Sequence, residues 1–69
     1  NPDHYKDSEI ECIDAIKSML SREEFTGFLR ASQFQYMWRY KNKNGVEDLK
    51  KADWYLNKLI HHENNNEEK

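Results

Sequence analysis

Hydrophobic residues recur every three or four positions in three separate segments of the chain, a spacing typical of amphipathic helices. In the first segment the repeat runs from Ile10 to Leu20, and Ser8 and Glu11 have the spacing of a helix-capping box. We therefore predict a first helix at about residues 8–20.

The second segment begins with the same capping signal, because Glu24 lies three residues after Ser21. Its apolar stripe predicts a long helix running to about Tyr40. The stripe consists of Phe25, Phe28, Leu29, Phe34, Met37 and Trp38. Gly27 interrupts this helix with a residue that costs about 1 kcal/mol relative to alanine. That cost indicates either a close helix crossing or a break at this position.

Gly45 is expected to end the second helix in the left-handed conformation, and a third helix is expected to begin near Val46. The stripe of the third helix consists of Val46, Leu49, Ala52, Leu56, Leu59 and Ile60. Residues 1–7 are predicted to form an irregular arm, and residues 63–69 a disordered polar tail. The predicted fold is thus all-α, a small three-helix domain (helix, long helix, helix) over residues 1–62.

Composition supports this fold and adds an expectation about assembly. The chain has 69 residues, with two glycines and one proline, too few for the turns of a small β-barrel. Its single cysteine, Cys12, excludes an internal disulfide, and the lack of a run of roughly 20 apolar residues excludes a membrane span. A core of this size leaves a net stability of only about 3–5 kcal/mol. We therefore expect self-association into a homo-oligomer.

Charge is distributed unevenly and marks the centre of the chain as a candidate binding site. The net charge is −2, which excludes a generally basic protein that binds a DNA or RNA duplex. Residues 21–45 alone are basic, with five Lys/Arg and two Glu, which gives +3. The candidate ligand-binding residues there are Trp38, Arg39, Tyr40, Lys41 and Lys43, with Tyr36 beside them.

Aromatic rings offer faces on which a base can stack, and Arg and Lys offer charge for a phosphate. The start of the third helix follows closely and could direct free N–H groups at the same anion. This pattern predicts a site for a nucleotide-like small molecule. The alternative interpretation is that Trp38 belongs to the core and that the cations form a solvated helix end, where the helix dipole favours them.

Two residues of the N-terminal arm form a second candidate, since His4 and Tyr5 could fold over a site or a neighbouring subunit. The alternative is a loosely ordered arm. No catalytic or metal-binding set is predicted, because Cys12 lies in an apolar stripe as a buried thiol and adjacent His61 and His62 diverge around their helix. On the residues alone we therefore assign no catalytic residue, no metal and no cofactor, and binding is favoured over catalysis.

Three motifs occur together in this chain. They are the His4-Tyr5 start, Tyr36-Met37-Trp38-Arg39-Tyr40 in the centre, and Asp48-Leu49-Lys50-Lys51-Ala52-Asp53-Trp54-Tyr55-Leu56 near the end. In this combination the chain resembles the SaV-like family of small bacteriophage proteins. The resemblance implies phage origin, action in the cytoplasm of the infected bacterial host and nucleotide handling. A related phage protein is described as a nucleotide kinase that lacks the usual phosphate loop.

Three functions stay open at this point. The first is a nucleotide binder that sequesters a host antiviral signal. The second is a nucleotide kinase acting on nucleoside monophosphates, which alone would require Mg²⁺. The third is an interaction module that engages a host abortive-infection protein through exposed aromatic residues.

Overall fold

Three helices make up the described part of the chain, and this confirms the predicted all-α fold. The structure is a computed structural model that describes residues 12–67. Helix α1 occupies residues 12–19, α2 is Arg22–Arg39, a single 3-10 turn is Tyr40–Asn42, and α3 is Val46–Glu67. The predicted arm 1–7 and the predicted start of the first helix at Ser8 lie outside the described residues.

Local sequence accounts for both junctions between the helices. At the start of α2, the Glu24 amide donates to Ser21 Oγ (3.1 Å) and the Ser21 amide donates to Glu24 Oε1 (2.8 Å). This is the predicted capping box, and it separates α1 from α2 almost without a loop. Before α3, Gly45 has a φ of 59° and its amide donates to the Tyr40 carbonyl at 2.8 Å. The predicted left-handed glycine is therefore confirmed.

Helices α2 and α3 pack against each other in antiparallel fashion. At one end of the pair, the Arg39 side chain meets Asp48, and at the other end Arg22 Nη2 donates to the His62 carbonyl. The His62 ring is buried, and its Nε2 lies 3.2 Å from the Arg22 carbonyl oxygen. It meets the Phe25 ring in a T-shaped arrangement. These contacts hold the two long helices together over most of their length.

The core is small and lies where α1 crosses this pair. Its buried cluster consists of Ile13, Phe25 and Leu29, and further apolar side chains cover it in part. The covering side chains are Ile16, Leu20, Phe28, Tyr55 and Leu59. None of the described helices combines the length and the apolar character that are needed to cross a membrane.

Several expectations about individual residues require correction. The second half of the α2 stripe faces solvent, since Phe34 and Trp38 are exposed, and the interpretation of Trp38 as core is therefore wrong. Cys12 is exposed rather than buried. α2 is continuous through Gly27, and among the described residues nothing lies within 4 Å of a Cβ built there. The predicted break is thus absent from α2, and no close crossing at Gly27 is found among residues 12–67.

α3 also continues further than the sequence suggested. It runs through residues 63–67, which were expected to belong to a disordered tail, and residues 68–69 lie outside the described part. Asn65 Nδ2 lies 3.2 Å from His61 Nε2 one turn earlier, and Arg22 holds the His62 carbonyl. Because the preceding turn is anchored in this way, adding further helical residues costs little.

Candidate functional site

A buried carboxylate organises the junction between α2 and α3. Asp48 has an exposed fraction of 0% although it stands in the first turn of α3. Its carboxylate accepts hydrogen bonds from Arg39 Nε (3.2 Å) and Nη2 (3.3 Å), and from the amide (3.2 Å) and Nδ2 (3.3 Å) of Asn44. Four donors thus satisfy one buried anion, which is the condition for burying a charge at modest cost.

These donors also determine the protonation state of the carboxylate. Burial by itself raises the pKa of Asp48, but hydrogen bonds from Arg39 and Asn44, together with the Arg39 charge, outweigh that effect. The pKa of Asp48 therefore lies below its ordinary value of 3.8. Asp48 is ionised at neutral pH and neutralises the guanidinium beside it.

The amides at the start of α3 are engaged within the turn. The Glu47 amide donates to the Asn44 carbonyl at 3.2 Å, and the Asp48 and Leu49 amides donate to the Gly45 carbonyl at 3.0 and 3.2 Å. These three N–H groups are not free to bind an external anion. At this helix end the negative charge is supplied by the chain's own Asp48.

The residues that the sequence grouped into one pocket lie on different faces. The Trp38 ring packs against Phe34 with the ring centroids 5.7 Å apart, whereas Arg39 points to Asp48. Consecutive residues of a helix point about 100° apart, and this separates the indole from the guanidinium. Lys41 and Lys43 are exposed, and Tyr40 is half-buried in the 3-10 turn. His4 and Tyr5 lie outside the described residues.

A different set of side chains surrounds an open cavity of about 650 Å³ where α1 faces α2 and α3. We call it the α1–α3 hollow. Its described lining residues are Cys12, Ile13, Ile16, Phe28, Tyr36, Glu47, Lys50, Lys51, Trp54 and Tyr55. The volume falls within the range of about 300–1,000 Å³ that small-molecule sites occupy.

Aromatic rings form one wall of the hollow. The Tyr36 and Tyr55 rings are stacked, with centroids 5.7 Å apart and an interplanar angle of 14°. Trp54 meets Tyr55 edge to face at 5.0 Å, and Phe28 does so at 6.2 Å. Each ring is thus oriented by another ring, and Trp54 keeps 42% of its surface exposed. The wall offers a flat ligand a preformed surface.

Positive charge lies beside this wall. Lys51 Nζ is 5.6 Å and Arg39 Cζ is 4.8 Å from the centroid of the Tyr36 ring, within the range of cation–π contacts. Lys50 is exposed on the same helix turn. Glu47 is the one carboxylate among the described lining residues, so the lining carries a net charge of +1 from two Lys and one Glu. The hollow therefore combines aromatic surface with a moderate attraction for anions.

The described residues contain no cluster of three or more His, Cys, Asp or Glu side chains suited to a metal ion. The chemistry that the lining does offer is packing against a planar ring and charge pairing with an anion.

Comparison with known proteins places the chain in a family. Residues 1–57 match the model of a family described as a protein of unknown function (DUF3310). The chain belongs to the DUF3310 family. No curated protein and no solved structure matches it. The matched segment of this DUF3310 chain includes every described lining residue of the hollow and ends before His62.

The sequence pattern predicted Tyr36 as part of the aromatic and basic constellation and expected only backbone N–H groups from the start of the third helix at the site. The side chains that α3 contributes to the hollow, Lys50, Lys51, Trp54 and Tyr55, were not predicted there. Lys50 and Lys51 precede Trp54 and Tyr55 by four residues each, so each pair shares a face of α3. This repeat was the available signal. The repeat did not indicate a site because residues beside an apolar stripe usually face solvent. In this structure α1 lies opposite those residues, and they therefore form one wall of a cavity.

Proposed function

We propose that this DUF3310 protein binds a nucleotide or a nucleotide-derived small molecule in the α1–α3 hollow. The observation that carries the proposal is that one cavity of suitable size combines a wall of mutually oriented aromatic rings with two lysines. Nucleotides present the complementary pair of features, a planar base and a negatively charged phosphate.

In this proposal the two parts of the ligand contact different lining residues. The base packs against the exposed part of Trp54, and stacking of this kind is worth about 1–3 kcal/mol per base. The phosphate pairs with Lys50 and Lys51, whose compact ammonium groups suit a point charge. The contact between Lys51 and the Tyr36 ring holds one of these charges near the aromatic wall before the ligand arrives.

Arg39 has a supporting role rather than a direct one. Its guanidinium is paired with the buried Asp48 carboxylate, and breaking that pair to hold a phosphate would leave a buried charge unpaired. Arg39 instead lies over the Tyr36 ring and fixes its position in the wall.

The biological role that we propose is sequestration of a nucleotide-derived antiviral signal of a bacterial host by a phage-encoded protein in the infected cytoplasm. The resemblance to the SaV-like family supports this context. Sequestration needs affinity and abundance but no catalytic group, which agrees with a described lining that contains a single carboxylate, Glu47.

Two tryptophans provide a matched pair for the first test. Isothermal titration calorimetry against a panel of linear and cyclic nucleotides should identify a ligand. The Trp54→Leu variant should then weaken its binding about tenfold or more, whereas Trp38→Leu should leave it unchanged. Equal losses for both variants, or a loss confined to Trp38→Leu, would place the ligand elsewhere.

Two lysine variants, one inside the hollow and one outside it, test the phosphate contact in the same way. Lys50→Gln should weaken binding of the nucleotide but not of the corresponding nucleoside, and Lys41→Gln, outside the hollow, should change neither. Binding of the nucleotide should also weaken as salt is added. If no nucleotide in the panel binds, the proposal is wrong.

One further measurement separates sequestration from the kinase alternative. After incubation with the protein, Mg²⁺ and ATP, the bound nucleotide should be recovered chemically unchanged from denatured protein. Recovery of a phosphorylated product would support the kinase and refute sequestration.

A further inference from the structure

The exposed face of α2 carries a second stripe that the hollow does not use. Its residues follow one another at intervals of four, three and four, the spacing of a coiled-coil seam: Gly27, Ala31, Phe34 and Trp38. All four are exposed, and the Phe34 and Trp38 rings contact each other at 5.7 Å. This exposed stripe lies on a different face of α2 from the buried residues Phe25 and Leu29.

We infer that two copies of this chain pair in antiparallel fashion through the exposed stripe of Gly27, Ala31, Phe34 and Trp38, around a two-fold axis near the middle of that stripe. The N-terminal half of the stripe has the small residues Gly27 and Ala31, and the C-terminal half has the large side chains of Phe34 and Trp38. Antiparallel pairing places Trp38 opposite Gly27 of the second copy and Phe34 opposite Ala31 of the second copy. Each copy has both large and small residues in its stripe. A two-fold contact therefore packs the large side chains of each copy against the small residues of the other.

Gly27 provides an independent reason for this pairing. Glycine is less favourable than alanine inside a helix, so it is expected where something approaches the backbone closely. Among the described residues nothing lies within 4 Å of a Cβ built at Gly27. The contacts of the described chain therefore do not require a glycine, whereas the indole of a second copy does.

A shallow depression beside the stripe gives that indole room. It has a volume of about 560 Å³, and its lining residues are Gly27, Arg30, Ala31, Gln33, Phe34 and Leu59. The small residues of the stripe form part of its floor. Trp38 lies as far from the proposed two-fold axis as Gly27 does, so the Trp38 ring of the second copy reaches this depression. Its ring has a suitable size, and 78% of its surface is exposed.

Charge complementarity favours the antiparallel direction. The first turn of α2 is acidic, with Glu23 and Glu24, and Lys41 follows its last turn. Antiparallel pairing brings the acidic end of one copy to the basic end of the other at both ends of the contact, and it also opposes the two helix dipoles. A parallel pairing would bring like charges together.

The contact is expected to be weak. Aromatic side chains have about 150–250 Å² to bury, so Phe34 and Trp38 together expose about 200–350 Å² per copy. This is less than the roughly 800 Å² per partner of a standard interface. Dimers should therefore form at high protein concentration and dissociate on dilution.

Sedimentation equilibrium of the full chain, from about 1 µM to about 1 mM, tests the inference. The wild type should shift from monomer to dimer over this range. Gly27→Gln should raise the dissociation constant at least tenfold without lowering the melting temperature of dilute protein, because a Cβ at this exposed position has no described neighbour within 4 Å and glutamine favours a helix more than glycine does. Trp38→Ser should weaken the dimer similarly, and Asn64→Gln, exposed on α3, should leave it unchanged.

Charge reversal tests the direction of the pairing. Glu23→Lys should weaken the dimer, and adding Lys41→Glu in the same chain should restore it. A wild type that stays monomeric throughout would overturn the inference, as would a dimer that both Gly27→Gln and Trp38→Ser leave intact. A double charge reversal that fails to restore the dimer would overturn the antiparallel arrangement.

Discussion

Replacing Leu29 with alanine should remove most of the stability of this small domain. Leu29 has an exposed fraction of 0% and lies in the buried cluster with Ile13 and Phe25. The substitution removes three carbon atoms at about 0.8 kcal/mol each and leaves a cavity that costs more. We expect a loss of about 3 kcal/mol, against a total of about 3–5 kcal/mol for a core of this size.

Urea denaturation followed by far-UV circular dichroism measures this loss, and Leu56→Ala is its matched control. Leu56 lies in α3 with 41% of its surface exposed, so the same substitution should cost about 1.5 kcal/mol or less. Both variants should be measured at one low protein concentration, because the proposed dimerisation would add to the apparent stability. If the two variants lose the same stability, α2 is not packed as the structure describes.

The remaining predictions concern the helix junctions and the glycine inside α2. Because the pKa of folded Asp48 is lowered, its stabilising contribution should be complete above pH 3.8 and decline as the pH falls below that value. The difference in urea midpoint between the wild type and Asp48→Asn should therefore shrink as the pH falls below 3.8. Asp53 is exposed, so the urea midpoint of Asp53→Asn should stay close to that of the wild type at any pH. Ser21→Ala should lower the free energy of unfolding in urea by about 1 kcal/mol, because it removes the acceptor of the Glu24 amide. Gly45→Ala should lower the free energy of unfolding by about 1–2 kcal/mol, because the φ of Gly45 is 59°. Gly27→Ala should instead raise the melting temperature of dilute protein, because Gly27 lies inside a helix with no described neighbour near its Cβ position. A stabilised Gly45→Ala variant together with a destabilised Gly27→Ala variant would contradict the roles given to these glycines.

The proposed ligand site and the proposed dimer contact lie on different parts of the molecule. The hollow lies between α1 and the α2–α3 pair, and the dimer stripe lies on the exposed face of α2. Trp54 and Trp38 therefore report on different events. A variant that loses ligand binding need not lose dimerisation, and the two proposals can fail independently.

The helices and their junctions could be predicted from the sequence because local chemistry decides them. The Ser21–Glu24 capping box and the left-handed Gly45 are satisfied by neighbours within a few residues, so their signals can be read along the chain. The extension of α3 through residues 63–67 was missed because its support comes from Arg22, forty residues away from the His62 carbonyl that it contacts.

Tertiary structure alone decided which residues form the candidate site. The sequence offered a run of aromatic and basic residues around Trp38 and Arg39, but a helix directs adjacent side chains apart, and the buried carboxylate of Asp48 takes up the guanidinium. The packing of α1 against one flank of the α2–α3 pair instead joined Tyr36 to Lys51 and Trp54. Periodicity along a chain indicates that a helix has an apolar face, whereas the choice of which exposed flank becomes a cavity depends on the angle at which another helix crosses it.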